Sequence, residues 1–114
     1  MHANISKSDQ AWLARFEAYV EQHLKETELT VSHLSTEFFM SESTLLRTLK
    51  RLTGLSPAQY LKEIRLNRAR FLLERGEVRS IGEVTSEVGY GSPRSFARSF
   101  KKRYGITPSQ LVPD

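Results

Sequence analysis

This 114-residue chain predicts an all-α fold, and three observations carry the prediction. Apolar residues recur at three- and four-residue spacing in each segment. Helix-start residues precede those segments, and Gly54, Gly76 and Gly105 close three of them. A short helix, a tight turn and a longer helix then occur twice, about 50 residues apart. The expected architecture is two helix-turn-helix lobes joined by a long connector helix, with an extra N-terminal amphipathic helix. In segments, 1–8 reads as a disordered start or an appended remnant, 9–55 as the leading helix and first lobe, 56–75 as the connector, and 76–114 as the second lobe.

The leading helix is expected from Asp9 to about Lys25. Trp12, Leu13, Phe16, Val20 and Leu24 form its apolar stripe, with Trp12 as its core anchor. Thr30 caps a short helix with Val31, Leu34 and Phe38 inward. Phe38 and Phe39 are both expected to pack. Phe39-Met40-Ser41 then turns into a second helix with Leu45, Leu49 and Leu52 inward, and Gly54 stops it. Ser56, Pro57 and Gln59 make a capping-box start for the connector, SPAQYLKEIRLNRARFLL, a rod of roughly 27 Å. Its Arg65 and Arg68 read as surface or intramolecular ion pairs. Ser80 with Glu83 forms a second capping box, and Ile81, Val84 and Val88 repeat the short stripe. Gly89-Tyr90-Gly91 turns, Ser92-Pro93 starts a helix with Phe96, Phe100 and Tyr104 inward, and Gly105 ends it.

Leu34 and Val84 are 50 apart, whereas Leu45/Phe96, Arg47/Arg98, Lys50/Lys101, Gly54/Gly105 and Pro57/Pro108 are 51 apart. The second copy therefore has one extra residue in its turn. Opposite the apolar face of the longer helix lie Ser43, Thr44, Arg47, Lys50 and Arg51 in the first copy. Arg94, Ser95, Arg98, Lys101 and Lys102 occupy that face in the second. Two cationic helix faces in phase, each backed by an apolar face, point to a polyanion. Arginine can pair bidentately with guanine edges or phosphate, and hydroxyls can serve either. The charge is uneven as well: residues 1–56 hold 6 Lys+Arg against 7 Asp+Glu, and residues 57–114 hold 11 against 6.

The absence of cysteine excludes disulfides, thiolate zinc sites and cysteine nucleophiles. His2, His23 and His33 have no metal-ligand spacing, and no paired carboxylates, triad or phosphate loop offers a reaction. The expectation is no catalytic site, no cofactor and no metal. No apolar run approaches membrane-spanning length and the start lacks a signal-peptide core, so a cytoplasmic location and no membrane contact are expected.

With STLLRTLKRLTGLSPAQYLKEIRLNRARFLL in one half and VGYGSPRSFARSFKKRYGITPSQ in the other, the chain resembles the DNA-binding domain of AraC/XylS-type bacterial transcription regulators over about residues 29–112. That resemblance implies two recognition helices, at about 42–52 and 93–104, laid into successive major grooves of double-stranded DNA. The base-reading positions it implies are Ser43, Leu46 and Arg47, then Pro93, Arg94, Ala97 and Arg98. Thr44, Lys50, Arg51, Ser95, Lys101 and Lys102 complete the expected DNA-binding set. Leu46 and Pro93 are apolar at positions often polar in the family, Ser35 and Thr85 replace a packed alanine, and Phe39 stands where glycine is frequent. The leading helix is similar to the segment preceding this domain in hybrid two-component regulators. The chain is thus expected to be part of a longer protein with sensor or receiver domains, with RNA polymerase as a further candidate partner. The rival readings are a helical protein-interaction module, using Phe39 and Trp12, and a DNA-alkylation repair protein, which the absence of cysteine removes as methyl acceptor.

Overall fold

A computed structural model describes residues 5–26 and 29–112. The described residues form six α-helices and a terminal 3-10 turn. They divide into two compact units, residues 5–23 with 29–64 and residues 24–26 with 65–112.

In the first unit, α1 (Lys7–Gln22) starts two residues before the expected Asp9. The overlooked signal is a capping box: Ser6 Oγ accepts from the Asp9 N–H and the Asp9 carboxylate accepts from the Ser6 N–H. His23 ends the helix, so Leu24 is not the last member of its stripe. Leu24 is buried in the second unit instead. Trp12 stacks on Phe16 at 5.3 Å, and both rings meet Phe38. The Tyr60 hydroxyl donates to Glu17; burial, more than that carboxylate, raises its pKa. α2 (Val31–Glu37) is capped by Thr30 and α3 (Glu42–Thr53) by Ser41. Leu34, Leu45, Leu49 and Leu52 are all buried.

α4 (Pro57–Glu74) belongs to the first unit up to Ile64 and to the second from Arg65 onward. Its expected start is present: the Ser56 N–H donates to Gln59 Oε1 at 2.9 Å and the Gln59 N–H to Ser56 Oγ at 3.2 Å. Gly76 ends it at φ +68°. In the second unit, α5 (Ile81–Glu87) is capped by Ser80 and α6 (Pro93–Tyr104) by Ser92. The Ser80 capping box is only half formed, because Glu83 accepts from the Arg79 N–H and not from that of Ser80. Leu66, Ala69, Leu72, Leu73, Val78, Val84, Val88, Phe96 and Phe100 make one core. The hydroxyls of Ser35 and Thr85 donate to carbonyls of their own helices, Ser32 and Ile81, so burial leaves neither unsatisfied.

The two turns carry corresponding backbone hydrogen bonds before they diverge. Phe39 and Met40 donate to Thr36 and Ser35, and Gly89 and Tyr90 donate to Ser86 and Thr85. The offset is 50 up to Met40/Tyr90 and 51 from the caps Ser41/Ser92 onward, which identifies Gly91 as the extra residue. Phe38 packs as expected. Phe39 does not: at φ +54° its side chain turns outward and is 96% exposed.

Candidate nucleic-acid interface

The first cationic face lies on α3. Ser41 Oγ accepts from the Thr44 N–H and fixes the helix start. Thr44 is engaged at that cap, receiving Ser41 Oγ at 3.0 Å and Arg47 Nη2 at 3.2 Å. Arg47 is thereby held beside the helix start while remaining exposed, as are Ser43, Leu46 and Lys50. Arg51 departs from the expected open face. Its two terminal nitrogens donate to the two Asp9 carboxylate oxygens at 2.9 and 3.1 Å. The Arg51 guanidinium, with the Ser6 N–H, holds the Asp9 carboxyl well below the usual carboxylate range. Glu42 adds an acid at the first turn of this helix.

The second face, on α6, is the more basic. PRSFARSFKKRY contains no acid, and Pro93, Arg94, Ser95, Arg98, Lys101 and Lys102 are exposed, with Ala97 half-buried. None of these cations joins an ion pair among the described residues. Phe96 and Phe100 are fully buried behind them. Arg47 and Arg98 are each the sixth residue after their caps, Ser41 and Ser92, so the phase read from the repeat holds in three dimensions.

Sequence reasoning missed the residue that holds the turn before α6. Arg65 is 8% exposed and makes no ion pair among the described residues; its Nη1 donates to the carbonyls of Leu24 and Val88 at 2.5 Å each, and its Nη2 to that of Glu26 at 3.3 Å. Burial lowers its pKa. Val88 is the C-cap of α5, and Gly89 follows at φ +77°. A Cβ at Gly89 would overlap the Leu24 carbonyl oxygen and Arg65 Nη1. Glycine is required there by space as well as by backbone conformation. Arg68 likewise joins no ion pair among the described residues; its guanidinium lies over the Phe71 ring at 5.2 Å.

Residues 34–112 match the model of a helix-turn-helix domain family. A protein called histidine kinase P4, from Formosa agariphila, is 34% identical over 106 residues, which is 93% of this chain and 8% of the kinase. The transcriptional activator RhaS of Salmonella schwarzengrund is 32% identical over 104 residues, 91% of this chain and 37% of RhaS. The chain thus spans a minor part of the curated relatives it matches. Among solved structures, the DNA-binding domain of AdpA in complex with a target DNA is similar with a TM-score of 0.78 and 33% identity, covering 86% of each chain. Two helix-turn-helix units in the described residues and a family match over most of the length agree: this chain belongs to the AraC-type family of helix-turn-helix DNA-binding domains.

Proposed function

We propose that α3 and α6 enter successive major grooves of one duplex, with Arg47 and Arg98 reading base edges. AraC-type domains bind double-stranded DNA in transcription regulation, and the chain is such a domain and not an enzyme. The repeated phase carries the finer reading: one arginine per copy stands at the same distance from its helix start, with the apolar face buried behind it. Ser43, Leu46, Pro93, Arg94 and Ala97 share the groove-facing task. Thr44 and Ser95 lie at the helix starts. Lys50, Lys101 and Lys102 lie a turn later, where a helix crossing a groove rises toward phosphates. Arg51 reaches a phosphate only by leaving Asp9.

The kinase relative, of which this chain matches 8%, supports a place within a longer regulator that carries sensor or receiver domains. Such a regulator would work in the bacterial cytoplasm, with RNA polymerase as its further partner. Selection from random duplexes followed by footprinting tests the docking. Two protected major-groove patches about one helical turn apart, roughly 34 Å, are expected. A single protected patch on the best duplex would overturn two-helix docking.

A further inference from the structure

Three large apolar side chains stand exposed among the described residues: Phe39, Phe71 and Leu46. The Phe71 ring already carries the Arg68 and Arg75 guanidinium groups, at 5.2 and 5.1 Å. Leu46 differs because it lies within a cationic helix face. It is 42% exposed, whereas Leu45, Leu49 and Leu52 of the same helix are at most 1% exposed. On the helix wheel it falls between Glu42 and Lys50, next to Ser43. It lines a shallow groove of about 260 Å³ with Val31, Glu42, Ser43, Pro57 and Ala58.

Two features say what this groove would receive. The cations Arg47 and Lys50 beside it draw the helix to a polyanion. The Glu42 carboxylate at its rim repels phosphate, so this flank suits a base edge and not the backbone. Leucine offers no hydrogen bond to that edge, and the one apolar group that major-groove edges present is the 5-methyl of thymine. Cytosine methylated at carbon 5 places the same group at the same depth.

We propose that Leu46 is a specificity-determining residue of the first unit that reads the 5-methyl group of a pyrimidine. The inference rests on the docking of α3 argued above. Burying one methyl against Leu46 corresponds to about a fourfold gain in affinity.

The test uses the intact chain and its selected duplex. Each thymine contacted by α3 is replaced singly by deoxyuridine, which removes only the methyl. At the position that responds, cytosine and 5-methylcytosine are then compared. The expected result is one position with a thymine-to-uracil affinity ratio of about four, falling to about one in Leu46→Ala. A matching 5-methylcytosine-to-cytosine ratio would show that both bases are read; a ratio of one in that arm would assign the methyl to thymine alone. Specific binding with no thymine sensitive to methyl removal, or sensitivity retained in Leu46→Ala, overturns the inference while leaving the docking intact. Failure of any duplex to be enriched would instead defeat the docking and the inference with it.

Discussion

Arg98 and Lys102 lie one turn apart on the same helix, yet they should fail differently when removed. Arg98→Ala is expected to cost about 1–3 kcal/mol on the selected site and to relax preference at one or two base pairs. Lys102→Ala should weaken all duplexes alike and lower the salt slope by about 1. Arg47→Ala should resemble Arg98→Ala more mildly, since Glu42 lies on its helix and none lies on α6. Titration of each variant against selected and random duplexes checks all three; equal losses for Arg98→Ala on both would reassign it to phosphate. Asp9 links acid stability to the interface. Its folded pKa is depressed, so the stabilisation it supplies is fully present above the ordinary carboxylate value, about 3.9, and is lost as pH falls toward the folded value. Acid unfolding of Asp9→Asn should therefore show a shallower pH dependence below about pH 4. The same variant should bind duplexes more tightly, because Arg51 loses its carboxylate partner. Unchanged binding would show that Arg51 faces no phosphate.

The paired turns make the sharpest comparison between elements. Phe39→Gly relieves a left-handed backbone and gives up almost no burial, and after the entropy cost of glycine it should stabilise the chain by about 0.5–1 kcal/mol. Gly89→Ala meets both the backbone penalty and the overlap with Leu24 and Arg65, and should cost about 2 kcal/mol or more. Denaturant titrations of the two variants check the opposite signs. These turns also mark how far the sequence can be read. Caps, stops and helix faces are local signals: Thr30, Ser41, Ser56, Ser80 and Ser92 announce their helices, and the 50-to-51 shift locates the inserted residue. Phe39 misleads because composition says apolar while the turn sends its Cβ outward. Leu24 misleads because the helical spacing continues past the real cap at His23. Arg65 is illegible because its acceptors are backbone carbonyls 41, 39 and 23 residues away. The Asp9–Arg51 pair spans 42 residues and escapes for the same reason.

At the scale of the molecule, the cations of α3 and α6 imply about 5 to 8 neutralised phosphates and a log K against log salt slope of about −4.5 to −7. A slope shallower than about −2 on the best duplex would contradict docking of both helices. Ala69→Pro removes one helical hydrogen bond from α4 and should cost about 3 kcal/mol or more. If that variant stayed folded and bound the full site as tightly as the parent, connector continuity would not matter to recognition. The Arg65 hydrogen bonds have one more consequence, for the order in which the chain can fold. The second unit is discontinuous in sequence, because Leu24 supplies both buried apolar surface and a carbonyl to a guanidinium otherwise left with fewer acceptors. Those contacts form only when a segment 41 residues upstream of Arg65 closes onto it, and a severed fragment lacks that segment's buried leucine and its carbonyls. A fragment of residues 65–112 should therefore refold incompletely by itself, and supplying residues 20–26 as a separate peptide should restore protection of the Gly89 and Tyr90 amides in hydrogen exchange.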